Sequence, residues 1–103
     1  MNRVDLIAAV RTEAERVWPG GHLDGTEEQY AWLEKHYSIT EDEDVQWRLI
    51  WQHERGELPE DDLADEGIMA FLLDESAVTA FLEKLRAKYQ SGTAIHERRS
   101  KPR

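Results

Sequence analysis

The sequence PEDDLADEGIMAFLLDESAVTAFLEKLRAKYQ, residues 59–90, contains the segments that decide the fold. An acidic start leads into the longest apolar run of the chain, residues 68–73, and then into an amphipathic segment, residues 75–90. That segment is predicted to be a helix with one buried face, because its apolar side chains recur at three- and four-residue steps. The side chains of this stripe are Val78, Phe81, Leu82, Leu85 and Tyr89, and Ser91 with Gly92 is predicted to stop the helix. We expect the apolar run to be buried beside them.

Two more amphipathic helices are predicted nearer the N-terminus. Residues 2–18 place their apolar side chains on one face, with Asn2 as the N-cap, and Pro19 with the two following glycines stops the helix. Residues 22–25 are predicted to be a loop. The second helix, residues 26–37, begins at Thr26, which precedes a glutamine by the three residues of a capping box.

Residues 40–55 fit two secondary structures. Thr40 and Glu43 have capping-box spacing and four acids fill the first turn, which favours a helix. Apolar and polar residues alternate over residues 45–53, which is typical of a strand. We predict the helix, because these start signals agree with the stop signals at its end, where His53 and Arg55 are followed by Gly56.

Residues 59–73 are ambiguous for a similar reason. Pro59 suits the first position of a helix, whereas Gly67 disfavours a helix interior and the apolar run is short enough for a buried strand. The predicted fold is mainly α, a single small domain of four or five short helices. The alternative is α+β, with a small sheet from residues 45–53 and 67–73.

Charge is distributed unevenly along the chain of 103 residues, whose net charge is −9. Residues 41–66 hold eleven acids and two bases, while residues 96–103 hold four bases and one acid. We therefore predict an acidic globular domain over residues 1–92 and a basic, disordered C-terminal tail over residues 93–103.

Composition also limits the location and the chemistry. There is no cysteine, and no apolar run approaches the roughly 20 residues of a membrane span. Acids interrupt the N-terminal apolar stretch, so a signal peptide is not expected and the predicted location is cytoplasmic. Histidines are scattered singly, and the serines and glycines form no nucleophile or phosphate-binding motif. No catalytic residue, metal ligand or cofactor is predicted.

These observations favour a non-enzymatic, acidic protein-binding module. An acidic surface repels nucleic acid and attracts basic surfaces, so the expected partner is a basic protein that handles nucleic acid, which the module would inhibit or regulate as a DNA mimic. Trp32 and Trp51 are added because Trp is favoured at binding hot spots. The predicted partner-binding residues are Glu41, Asp42, Glu43, Asp44, Glu57, Glu60, Asp61, Asp62, Asp65, Glu66, Trp32 and Trp51. The alternative is an assembly component that binds a partner or itself through apolar and Trp surface.

One short stretch resembles a known family. Residues 70–76, AFLLDES, with residues 81–85, FLEKL, resemble a strand-to-helix stretch of Cas9-inhibiting anti-CRISPR proteins of phage origin. The resemblance covers less than a quarter of the chain and does not extend into its N-terminal half. It implies a strand at residues 68–73 and a phage or mobile-element inhibitor.

Overall fold

The structure, a computed structural model, describes residues 2–18 and 26–100, with side chains described up to residue 91. These residues form six helices and no strand. The helices are α1 (Arg3–Val17), α2 (Glu27–Tyr37), α3 (Glu41–Glu54), α4 (Glu60–Leu63), α5 (Glu66–Leu73) and α6 (Glu75–Ser100). The prediction of a mainly α fold is confirmed. The α+β alternative is wrong, as is the strand that the anti-CRISPR resemblance implied, because both proposed strand segments lie in helices.

Helix α6 is the centre of the fold, because α1, α2, α3 and α5 all pack against it. Four side chains of its predicted stripe are at most 1% exposed, which confirms the buried face. Phe81 lies at the edge of the stripe, half-buried, with its ring edge against Phe71 at a centroid distance of 6.0 Å. The other buried apolar side chains are Leu6, Ile7, Val10, Ala14, Leu33, Tyr37, Ile39, Trp47, Leu49, Ile50, Leu58 and Leu72.

The predicted N-caps are in place. The side chain of Asn2 accepts the backbone N–H of Asp5 at 2.9 Å, and that of Thr26 accepts the backbone N–H of Gln29 at 3.1 Å. Each bond satisfies a donor that the first turn of a helix leaves free. Helices α1 and α2 therefore begin where the sequence predicted.

Helix α3 settles the ambiguity of residues 40–55. Thr40 and Glu43 form a complete capping box, in which each side chain accepts the backbone N–H of the other residue. The strand-like alternation arises because α3 buries Trp47, Leu49 and Ile50, which do not lie on one narrow stripe. A helix that contacts neighbours on two sides produces that pattern without being a strand.

The segment predicted as one unit over residues 59–73 is two helices. The side chain of Asp65 accepts the backbone N–H of Ile68 at 3.0 Å and starts α5 as a new helix. Gly67 therefore lies in the first turn of α5, not in a helix interior. The expectation that residues 68–73 are buried holds fully for Leu72 and partly for the half-buried Ile68, Met69 and Phe71, and it is wrong for Ala70 and Leu73. Leu72 is fully buried, whereas Leu73 is 67% exposed.

Two predicted helix ends have different outcomes. Pro19 and the loop predicted for residues 22–25 lie outside the described residues. The stop predicted at Ser91 and Gly92 is wrong, because α6 continues to Ser100. A single glycine costs a helix only about 1 kcal/mol relative to alanine, which is too little to end it. The division into a domain over residues 1–92 and a tail over residues 93–103 stays a prediction.

Two turns give a matched test of backbone strain. Gly56 has φ +70°, and a Cβ added there would meet nothing within 4 Å, so Gly56→Ala isolates the backbone cost. We expect it to lower the free energy of unfolding by about 1 kcal/mol. Ser38 ends α2 at φ 60° without being glycine, so Ser38→Gly should raise that free energy by about 0.5 kcal/mol. Urea titration measures both free energies of unfolding. If the two substitutions changed stability in the same direction, positive φ would not be the source of backbone strain at these turns.

Candidate interaction surface

Helix α3 divides the predicted acidic segment into two groups. Glu41 and Asp42 are exposed in its first turn, whereas the acids of residues 57–66 follow its last turn. A helix of 14 residues is about 21 Å long. Along the chain this helix separates Glu41 and Asp42 from the larger group of acids, which lies around α4 and the start of α5.

Glu43 and Asp44, both predicted to bind a partner, are buried in the structure. They are 7% and 2% exposed, because the second half of the first turn of α3 faces α6. The other eight predicted acids are exposed or half-buried. Glu43 and Asp44 therefore belong to the interior of the protein, and the accessible acidic surface does not include them.

Glu43 is the centre of an ion-pair network between α3 and α6. The Nζ of Lys88 donates to both carboxylate oxygens, at 2.6 and 2.8 Å, and the Nζ of Lys84 lies 3.3 Å from one of them. Lys88 also donates to the backbone carbonyl of Ser38 at 2.8 Å. One lysine therefore holds the turn between α2 and α3 against α6.

The pKa of Glu43 reflects this network. Burial by itself raises the pKa of the carboxyl group, because it disfavours the charged form. The hydrogen bonds from Lys88, from the backbone of Thr40 and from Lys84 oppose burial, and together they hold the pKa below its ordinary value. The carboxylate is therefore a charged structural group in the neutral pH range and is not poised to exchange a proton.

Two tyrosines near Asp44 are held neutral. Burial raises the pKa of Tyr89 far above its ordinary value, and the charges of Asp44 and Glu43 act in the same direction. Burial also raises the pKa of Tyr30, with Asp44 adding to the effect and Arg48 opposing it. Neither phenol would ionise near neutral pH, so both are packing groups and neither is a candidate acid or base.

The accessible acids after α3 form what we call the acidic patch: Glu57, Glu60, Asp61, Asp62, Asp65 and Glu66. Within the described residues, its ion pairing is limited to Glu57, which lies 3.1 Å from Arg55. Asp65 is engaged as the N-cap of α5. Residues 56–83 contain nine acids and no Lys or Arg, so no base within this stretch neutralises the patch.

Trp51 is engaged within the protein. The guanidinium groups of Arg11 and Arg55 lie 5.0 and 5.2 Å from its ring centroid, and Trp47 stacks on it at 6.0 Å. Cation–π contacts of this length are favourable even at partly exposed sites. A partner would have to displace these arginines to reach the ring, which makes Trp51 a weaker anchor than its sequence position indicated.

Trp32 is half-buried among other rings. Its centroid lies 5.4 Å from that of Trp18, 4.7 Å from His36 and 5.6 Å from Tyr37. Beside these rings is a surface pocket of about 240 Å³, lined by Arg16, Val17, Trp32, His36 and Tyr37. Arg16 of this pocket donates to Glu13 at 3.1 Å. The structure places Trp32 and Trp51 in different ring clusters, and Arg55 links the cluster of Trp51 to Glu57 of the acidic patch.

Helix α5 presents an apolar face that the sequence reasoning missed. Leu73 is 67% exposed, and it shares one side of the helix with the exposed Ala70, three residues earlier, and the half-buried Met69, four residues earlier. The sequence feature that could have indicated this exposure is the pair of acids on each side of the apolar run, residues 65–66 and 74–75. They limit α5 to eight residues, and so short a helix buries only the side that meets its neighbours.

Two kinds of site are absent from the described part of the chain. There, no three His, Asp or Glu side chains come together in a way that could hold a metal ion. No described helix is both long enough and apolar enough to cross a membrane.

Comparisons with models of protein families, with curated proteins and with solved structures found no match to this chain. Its function has to be inferred from the residues themselves, above all from the acidic patch and the apolar face of α5.

Proposed function

We propose that this chain is a non-enzymatic, acidic protein-binding module that acts in the cytoplasm. It inhibits or regulates a basic, nucleic-acid-handling protein, in the manner of the anti-defence proteins of phages and other mobile elements. Its direct partner is a protein with a basic surface, and it binds neither nucleic acid nor membrane.

The acidic patch is the observation that supports this proposal. Five of its six carboxylates have no ion pair within the described residues, and no base in residues 56–83 compensates them. Lys and Arg groups that hold nucleic-acid phosphates respond to the same negative charge on a protein surface. A module that presents this patch occupies such a site and excludes the nucleic acid, while its own charge repels the nucleic acid.

The anti-CRISPR resemblance does not strengthen the proposal. It implied a strand followed by a helix, whereas residues 70–76 and 81–85 lie in two helices joined at Asp74, which caps α6 by accepting the backbone N–H of Ala77 at 3.1 Å. The support comes from charge placement alone.

The apolar face of α5 favours a second candidate, an assembly component. Leu73 and Leu63 are 67% and 48% exposed, and large exposed apolar side chains are candidates for contact surfaces. The two candidates differ in their response to salt. Attraction between exposed charges weakens as the Debye length falls from about 10 Å at 0.1 M to about 3 Å at 1 M, whereas apolar association does not.

Charge reversal tests the proposal. The variant with Glu60, Asp61, Asp62 and Glu66 all changed to Lys leaves the N-cap Asp65 intact. We expect it to lose capture of the basic partner from a lysate of the natural host at low salt, by at least about tenfold in yield, because the attractive field is reversed. Immunoprecipitation with quantitative mass spectrometry measures the loss.

The matched control reverses four acids elsewhere, Asp5, Glu27, Glu28 and Glu34, all exposed on α1 and α2. It changes the net charge equally, so retained capture assigns binding to the acidic patch. Added double-stranded DNA should release the captured protein from the wild-type chain. Equal capture by both variants, or no release by DNA, would count against the phosphate-competitor proposal and favour assembly.

A further inference from the structure

Helix α5 contains more apolar surface than the fold buries. Its sequence has six consecutive apolar residues, 68–73, yet Leu72 alone among them is fully buried. Ile68, Met69 and Phe71 are half-buried against the core, and Ala70 and Leu73 face solvent. A helix that is apolar on all sides normally has neighbours on all sides. The free side of α5 therefore lacks a partner within the described chain.

The free side has a defined composition. Leu73 lies three residues after Ala70 and seven after Glu66, so these three exposed residues share one side of α5, with the half-buried Met69 at its edge. Leu63, 48% exposed, ends the preceding helix α4, which packs directly against α5. We call the free side of α5 the ridge: it is apolar at Ala70 and Leu73 and acidic at its N-terminal end, Glu66.

The surrounding charge indicates what covers the ridge. Residues 56–83 carry nine acids and no Lys or Arg. Among the acids that follow α5, Glu75 forms an ion pair, with Arg3 at 3.2 Å. A second copy that docked its own α5 here would bring the same acids into contact, which repels. A segment with Lys and Arg beside an apolar stripe complements both the ridge and its acidic border.

We infer that the free side of α5 is the docking site for a basic amphipathic helix of a protein partner. The inference rests on the proposed function, in that the partner is basic, and it adds the form of the contact. Two helices pack side by side with their apolar residues interdigitated, while the partner's Lys and Arg face the acidic patch.

The probe is a designed peptide of about 18 residues, which is five helical turns, with Leu and Lys at amphipathic spacing. The control is a scrambled peptide of the same composition. Fluorescence anisotropy gives the affinity of each peptide for the full chain. We expect the amphipathic peptide to bind about tenfold more tightly than the isomer, and Leu73→Gln to remove about tenfold of its affinity. Val4→Gln, at an exposed apolar residue of α1 with 61% exposure, should leave binding and melting temperature unchanged.

The outcomes separate this inference from the proposed function. If both peptides bind equally and both are lost on reversal of Glu60, Asp61, Asp62 and Glu66, charge attraction is retained and the docking inference is overturned. Equal affinity of Leu73→Gln and wild type also overturns it. If the amphipathic peptide does not bind, the inference fails, and a dimer in sedimentation velocity that Leu73→Gln dissociates would show that a second copy covers α5.

Discussion

Leu85→Ala is expected to lower the free energy of unfolding by about 2–5 kcal/mol. Leu85 is 1% exposed on the buried face of α6, between Leu82 and Tyr89, and α1, α2, α3 and α5 all pack against this helix. Truncation removes the free energy gained by burying the Leu85 side chain, and it leaves a cavity. The surrounding helices are held in place by their other contacts, so they cannot move together to fill it. In a domain of about 5–15 kcal/mol total stability this is a large fraction.

The control for Leu85→Ala lies two residues earlier on the same helix. Glu83 is exposed, so Glu83→Ala should change stability by no more than about 0.5 kcal/mol. Lys84 is less suitable, because its Nζ lies 3.3 Å from the Glu43 carboxylate. Urea titration followed by Trp fluorescence measures both variants. Similar midpoints for Leu85→Ala and Glu83→Ala would show that the buried face of α6 does not carry the stability of the domain.

Helix starts were predictable from the sequence because their causes are local. Asn2, Thr26 and Thr40 each bind a backbone N–H three residues later, and the chemistry of that bond is visible in a four-residue window. The buried stripe of α6 was predictable for the same reason, because its apolar residues recur at the three- and four-residue steps of a helix. Local signals also favoured the correct choice of helix for residues 40–55.

Burial was harder to predict, because it depends on distant neighbours. The apolar run of residues 68–73 predicts a buried segment, but α5 contacts the rest of the fold on one side and leaves Leu73 exposed. Conversely, Glu43 and Asp44 read as solvated helix-start acids. Glu43 is buried because Lys88, 45 residues later, neutralises it. No pattern within α3 contains that pairing.

The candidate surface was therefore predicted in part. The acids of residues 57–66 were identified from composition and are accessible in the structure. The apolar face of α5 beside them required the arrangement of the helices, as did the arginines that cover Trp51. Exposed charged residues are easier to predict from a sequence than exposed apolar residues, because charged side chains seldom become buried unless they are paired.

Lys88→Met is expected to lower the free energy of unfolding by about 2–3 kcal/mol. Met keeps much of the apolar stem of Lys88 but removes three donated hydrogen bonds, two to Glu43 and one to the Ser38 carbonyl. The Glu43 carboxylate is then buried with the more distant Lys84 as its remaining cation. Most of the expected loss is this uncompensated negative charge and not the missing attraction itself.

A double variant separates those two causes. Adding Glu43→Gln to Lys88→Met removes the buried charge, so we expect the double variant to be more stable than Lys88→Met alone by about 1 kcal/mol. Urea titration of the wild type, both single variants and the double variant near pH 7 gives the coupling free energy. Strict additivity of the two single losses would show that Lys88 and Glu43 do not interact, and would contradict the ion-pair network between α3 and α6.

The same network predicts how stability depends on pH. The pKa of Glu43 is lower in the folded chain than its ordinary value of 4.5, so its contribution is complete above about pH 4.5 and is lost as the pH falls through the folded pKa. The stability advantage of wild type over Glu43→Gln should therefore be largest near about pH 6 and shrink towards about pH 3. In Lys88→Met, burial of the Glu43 carboxylate is opposed by fewer hydrogen bonds, so its ionised form costs stability, and protonation at low pH should reduce the stability difference between this variant and the wild type. Urea titrations across this range decide the matter: an advantage that stays constant as the pH falls would mean that the ionised Glu43 carboxylate does not hold α3 on α6.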